Sequence, residues 1–183
     1  MLFNYKRKAK SVSYKTVNGK PYKRKDTNIK GLVIHYTGGT KDTAKNECDF
    51  FATGNTRSAG AHCFIGYDGK SGWSIPRNYV AWSVGDNNGR GEYYGKLTNA
   101  NTISIELCAI ANKDISAKQL KKLKSIVKHY AKHCPNISYI VRHYDITTKL
   151  CPARYCNNRT NDKKWKNLQS ELMLVLKKSK KSK

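Results

Sequence analysis

Two histidines and a cysteine carry the chemistry that this chain's residue types suggest. His143 and Cys151 stand in residues 141–155, V-R-H-Y-D-I-T-T-K-L-C-P-A-R-Y. His35 closes a short apolar run in G-L-V-I-H-Y-T-G-G. Imidazole nitrogen and thiolate sulfur are donors that zinc takes, and a catalytic zinc keeps three protein ligands and leaves a fourth position open. One ion per chain would use all three residues. By type alone each histidine has a second reading, because a histidine at a strand end is more often packed or hydrogen-bonded than metal-bound.

The elements that must hold these residues can be read from patterning. Residues 137–141 are apolar or β-branched enough for a short buried strand, with His143 just past its end. Cys151 follows in a loop stiffened by Pro152. Residues 31–36 read as another buried strand, and residues 102–110, T-I-S-I-E-L-C-A-I, as a further strand. The latter alternates, with Ile103, Ile105, Leu107 and Ala109 on one face and Ser104, Glu106 and Cys108 on the other. By pattern alone Glu106 is a surface carboxylate.

Between them, Asp42 can cap a helix to about Phe51 that keeps Ala44, Cys48, Phe51 and Ala52 on one face. Residues 61–67 read as a strand turned by Asp68-Gly69, and Trp73 begins another extended piece. Residues 85–101, rich in Gly and Asn, read as a surface loop. Ser116 and Gln119 form a capping-box signature for a helix to about His133, with Leu120, Leu123, Val127 and Tyr130 as its apolar stripe. A last helix from about Asp162 to Leu176 turns Trp165, Leu168, Leu172 and Val175 inward. Strands separated by helices predict one α/β domain over residues 31–176, a central mixed sheet flanked by helices.

Charge is the strongest compositional signal. The 183 residues hold 36 Lys and Arg against 12 Asp and Glu, a formal net charge of +24. Such an excess implies an anionic partner: nucleic acid, a membrane surface or a wall polymer. The basic residues are spread over both ends and one helix without a nucleic-acid motif, which argues against specific nucleic-acid binding. Residues 1–30, basic from Lys6 to Lys30 with Asp26 as their acid, are expected to form a solvated extension. Within them Val12, Tyr14 and Val17 could make an edge strand, with Asn18-Gly19 as its turn. Residues 177–183 are expected to be a disordered basic tail. There is no apolar run of about 18 residues, so no transmembrane segment is expected. The N-terminus lacks the apolar core of a secretory signal, which predicts synthesis in the cytoplasm and exit by another route.

The six cysteines form no C-x-x-C pair. Cys48, Cys63, Cys108 and Cys134 lie in apolar or helical stretches and read as small buried hydrophobes. A Cys48–Cys63 or Cys151–Cys156 bridge stays open. His129 and His133 lie on the lysine-rich helix and receive no role. His62, inside a strand pattern, reads as core or as support behind a metal site.

Six segments now occur in order: G-L-V-I-H-Y-T-G-G, D-T-A-K-N-E-C-D-F-F-A-T-G-N-T-R, S-A-G-A-H-C-F-I, N-Y-V-A-W-S-V-G-D, N-T-I-S-I-E-L and R-H-Y-D-I-T-T-K-L-C-P. Together they resemble the zinc-dependent N-acetylmuramoyl-L-alanine amidases of the type-2 family, nearest to the endolysins and prophage amidases of Gram-positive hosts. Phage lysozyme-type amidases and the peptidoglycan recognition proteins are more distant relatives. The resemblance covers about residues 31–155. It implies Zn²⁺ on His35, His143 and Cys151, and Glu106 as general base. Lys149 falls at a position that can hold a lysine near the metal, with an ordinary solvated lysine as its other reading. Tyr36 and Trp82 become walls for sugar or peptide. The implied reaction is hydrolysis of the amide between N-acetylmuramic acid and L-alanine, by a monomer that reaches the bacterial wall after release from the host cytoplasm. Non-catalytic peptidoglycan binding is the alternative on the same fold, and the presence of Cys151 and Glu106 argues against it. The basic extension would hold the protein on anionic wall polymers. Ala61 replaces a tyrosine of some relatives, and Ser83 stands where many have histidine in A-W-H-A-G-D.

Overall fold

The computed structural model describes residues 1–85 and 89–181. Its frame is a six-stranded mixed sheet in the order β1 (Tyr5–Lys6), β6 (Ser71–Trp73), β5 (Cys63–Ile65), β7 (Thr102–Leu107), β4 (Gly31–Tyr36) and β8 (Tyr139–Arg142). Strands β5, β7, β4 and β8 run parallel, and β6 is antiparallel to β5. The other two strands, β2 (Thr16–Val17) and β3 (Lys20–Pro21), form a small hairpin. Its turn is Asn18-Gly19, both at positive φ, as a two-residue hairpin turn requires.

The central strands are buried on both faces. Strand β7 is therefore not half-buried as its alternation suggested, and Ser104 is as enclosed as Ile103 and Ile105. One face carries α2 (Ala117–His133) and α4 (Arg159–Lys181). There Leu32, Ile34, Ile103 and Ile105 meet Leu123, Ile126 and Val127 of α2 and Trp165, Leu168 and Leu172 of α4. Each such side chain, fully buried, contributes about 1.5–3 kcal/mol. On the other face Val33 and Val141 pack with Val84, Leu97 and Ile146, and Phe64 packs with Ala44 and Cys48 of α1 (Ala44–Asp49). Side chains alternate along a strand, so His35 shares Val33's face and Glu106 shares that of Ser104, away from α2 and α4.

The caps explain where helices begin. The Ser116 hydroxyl accepts from the Gln119 N–H, and the Gln119 side chain accepts in return from the Ser116 N–H. The Gln119 amide also donates to the carbonyls of Ile65 and Cys108, which ties α2 to the sheet. Helix α1 is capped by Thr43 rather than Asp42. Asp42 instead accepts from the Ala109 N–H and the Thr37 hydroxyl, bracing the loop after β4 against the end of β7. Beyond Asp49 the helix widens into a π turn, Phe50–Gly54.

The ends differ from expectation. Residues 1–30 pack onto the domain: β1 pairs with β6, and Phe3, Tyr14 and Ile29 are buried. Arg24, 7% exposed, donates to the carbonyls of Arg77, Asn99 and Ala100. These partners lie far away in sequence, so local composition could not reveal them. Residues 177–181, read as disordered tail, continue α4, where Ser179 is buried and Lys180 donates to the carbonyls of Pro135 and Ile137. Residues 182–183 of that tail and 86–88 of the expected surface loop lie outside the described residues. The remainder of that loop is anchored by Leu97 and Asn99, both buried. All six cysteines are free and buried, so neither bridge forms. Among the described residues no helix is long and apolar enough to cross a membrane.

Candidate active site

Adjacent parallel strands deliver the two histidines. Ile34 of β4 pairs with Arg142 of β8, so His35 and His143 leave the same end of the sheet side by side. Their rings are 4.7 Å apart between centroids and inclined at 62°. Cys151 arrives by a fold-back of the chain. The one-turn helix α3 (Tyr144–Thr147) begins at His143 and ends at Thr148, which takes a left-handed φ of 60°. The Tyr144 N–H then donates to the Cys151 carbonyl. Buried Arg142 clamps this turn through a two-pronged pair with Asp145 and a further bond to Asp162.

One ligand atom from each of His35, His143 and Cys151 lies within 4.8 Å of the others. Cys151 Sγ is 3.8 Å from His35 Nδ1. Two ligands about a tetrahedral ion with ordinary zinc bond lengths stand about 3.5 Å apart, so the spacing fits a metal. The electrostatics fit it too. Burial pushes the His35 pKa down, with His143 and Lys149 adding, which keeps the neutral, ligating imidazole. Burial also pushes the Cys151 thiol up, with Glu106 second, and a bound cation is the ordinary means of reversing such a shift.

Glu106 is the register partner of His35 across β4 and β7. Its Oε2 and His35 Nε2 are buried without a hydrogen-bond partner. Burial raises the Glu106 carboxyl to about 8, Glu47 and Asp42 add, and the positive charge of Lys149 opposes. A buried carboxylate aimed at a polar cleft is poised to exchange protons.

The site opens into a cavity of about 320 Å³ lined by His35, Tyr36, Phe51, Trp82, Glu106, His143, Lys149 and Cys151, among others. A side arm of about 180 Å³ continues past Ser58, Trp82, Ser83 and Gly85. A larger hollow, about 600 Å³, lies by Thr40, Tyr67 and Lys113 and contains none of the metal-ligating or proton-transferring candidates. Every residue singled out for the site in the sequence thus gathers around one cavity. His62 stands apart: its Nδ1 accepts from the Ser104 N–H and its Nε2 meets Arg24 and the Tyr79 carbonyl, so it braces the strands behind the site. Sequence reasoning placed Phe51 in a helix stripe. The π turn carries its ring to the cavity wall, and the adjacent Phe50-Phe51 pair was the only local signal.

A family profile described as N-acetylmuramoyl-L-alanine amidase matches residues 25–154. The chain belongs to the N-acetylmuramoyl-L-alanine amidase family. The match begins inside the basic N-terminal segment and takes in every cavity residue named above. Among curated amidases, N-acetylmuramoyl-L-alanine amidase CwlL of Bacillus licheniformis is 33% identical over 138 residues, covering 71% of this chain and 38% of the relative. The chain therefore spans well under half the length of that relative. PlyL is a similar solved structure, with a TM-score of 0.66 and 22% identity over 92% of this chain and 95% of the other. The catalytic domain of XlyA gives 0.62 and 20%, over 92% and 97%. These likenesses establish the α/β fold with its mixed sheet. Ser83 presents no imidazole to the cavity. Its hydroxyl is held by Asn99 Oδ1 and by Ser104 Oγ at 2.5 Å.

Proposed function

We propose that this chain is a zinc-dependent hydrolase of the amide between the lactyl group of N-acetylmuramic acid and L-alanine in peptidoglycan. The observation that carries the reading is the buried His35–His143–Cys151 cluster with Glu106 beside it, in a chain of the amidase family. The chemistry a zinc ion supplies in such a site is Lewis acidity, which acidifies water and polarises a carbonyl. Glu106 takes the proton of the attacking water and passes it to the departing amine of L-alanine. Lys149 faces the same cavity and stabilises negative charge growing on the scissile carbonyl oxygen. Tyr36, Trp82 and Phe51 line the cleft, where they orient sugar and peptide. Orientation of this kind supplies much of a hydrolase's advantage over solution.

The biological setting follows from the same reading. The protein acts as a monomer on the bacterial wall after release from the cytoplasm of a host cell, as an endolysin or prophage lysin does. Its basic ends, residues 1–30 and 177–183, favour anionic wall polymers over neutral surfaces. The catalytic unit is residues 31–176 together with the N-terminal strand that completes its sheet.

Digestion of purified peptidoglycan, read by mass spectrometry, tests the reading. New L-alanine amino termini without new reducing sugar ends are expected, abolished by chelation and restored by zinc. Tight binding to peptidoglycan by a zinc-loaded protein that cuts nothing would instead establish a recognition protein.

A further inference from the structure

The amidase cavity occupies one face of the sheet, and the helices on the opposite face, α2 and α4, carry a dense set of basic side chains. Helix α2 contains no acidic residue. Its buried stripe, Leu123, Ile126, Val127 and Tyr130, faces the sheet. At 100° per residue, Lys118, Lys121, Lys128 and Lys132 fall on the side opposite that stripe, and all four are exposed. They extend along roughly 21 Å of helix. Helix α4 packs beside α2 and turns Lys163 and Lys177 outward in the same way.

The acids on and beside these helices already pair with basic side chains. Glu171 pairs with Lys124, Asp162 with Arg142, and Asp114 with Lys164 and Arg154. A surface shaped only for solubility interleaves both signs. Like charges three and four residues apart also destabilise a helix, so this pattern weakens α2 unless something compensates. A linear polyanion compensates it, since phosphates spaced along a chain can meet successive turns.

We infer that the outer face of α2 and α4 is a docking surface for a phosphodiester polymer of the bacterial wall. This rests on the amidase reading for the choice of polymer. Because the surface lies behind the sheet, a docked chain leaves the cavity open toward the glycan. The inference shifts the main seat of polymer binding from the N-terminal segment to the helical layer.

The test measures co-sedimentation with wall sacculi, native or stripped of phosphodiester polymer by acid extraction. It uses the full chain carrying Glu106→Gln, so that cleavage does not release bound protein. Two further proteins carry either Lys118→Gln, Lys121→Gln, Lys128→Gln and Lys132→Gln, or the charge-matched Lys8→Gln, Lys20→Gln, Lys25→Gln and Lys30→Gln. Circular dichroism melts establish that both are folded. At physiological salt the helix variant is expected to bind native walls on the order of a hundredfold more weakly, and the N-terminal variant less than tenfold more weakly. Stripped walls should lose the parent's binding to a similar extent. Equal losses from both variants would mean that net charge alone acts, and the docking surface would be withdrawn. Undiminished binding to stripped walls, or equally tight binding to duplex DNA at matched phosphate concentration, would overturn it too. Failure of the amidase reading shows separately, as absence of cleavage by the protein with Glu106 intact.

Discussion

Replacing Arg24 by methionine tests whether residues 1–30 belong to the fold and reach the active site. The guanidinium is buried and donates to the carbonyls of Arg77 at 3.0 Å, Asn99 at 3.0 Å and Ala100 at 3.1 Å. Three hydrogen bonds from a charged donor, each contributing about 1.5–3 kcal/mol, favour the wild type. Opposing them is the penalty of burying the charge, which lowers the Arg24 pKa from 12.5 to about 10. That penalty is about 3 kcal/mol, and methionine removes it. The expected net loss is about 3 kcal/mol, between limits of about 1.5 and 6. For a chain of this size it lowers the midpoint by about 6–12 °C. The perturbation also travels. Asn99 accepts from the Ser83 and Val84 N–H groups, so a displaced Asn99 loosens the wall that carries Trp82. The assay is urea unfolding, followed by kinetics on a soluble muropeptide, where KM should rise more than kcat falls. A variant as stable as wild type, or a chain without residues 1–24 that unfolds as the full protein does, would refute the reasoning.

Glu106→Gln should lower kcat by roughly 10²–10⁴-fold while zinc stoichiometry, read by metal analysis, stays at one. A small effect on kcat would remove Glu106 from proton transfer. Zinc at a thousandfold above its dissociation constant should stabilise the protein by about 4 kcal/mol, and Cys151→Ser should abolish most of that increment in thermal melts. The half-buried Glu47 carboxyl is raised from 4.5 to about 7 by burial and by Asp42. The folded state therefore holds that proton more tightly, so its contribution is greatest below pH 4.5 and is lost as pH rises to 7. Discounted for solvent screening, the loss is about 1–2 kcal/mol, and urea titrations of Glu47→Gln should lack it.

Much of the frame was legible because it rests on local patterns. The run 31–36 is apolar enough to be a buried strand in any context. The Ser116–Gln119 box marks the start of α2 within the sequence itself, and Asn18-Gly19 marks a hairpin turn. Family resemblance then ordered His35, Glu106, His143, Lys149 and Cys151 along the chain. Other features depended on distant partners. Asp42 looks like a cap, yet the Ala109 N–H, which lies far along the sequence, claims it. Residues 1–30 look solvated by composition, yet the free edge of β6 and the carbonyls of residues 77, 99 and 100 recruit them. The last turn of α4 looks like a charged tail, yet Ser179 and Lys180 find burial and acceptors against residues 135 and 137.

The sequence by itself determined the donor types, the α/β alternation and the surplus of positive charge, because these reside in residue identity and short-range period. The tertiary structure decided what those residues do together. Parallel pairing of β4 with β7 and β8 sets His35 against both Glu106 and His143, residues far apart in the chain. Burial at that junction removes water, which holds the histidine neutral and raises the Glu106 carboxyl toward the range in which it exchanges protons. Only the layering of helices on one face of the sheet separates the basic surface from the cavity on the other.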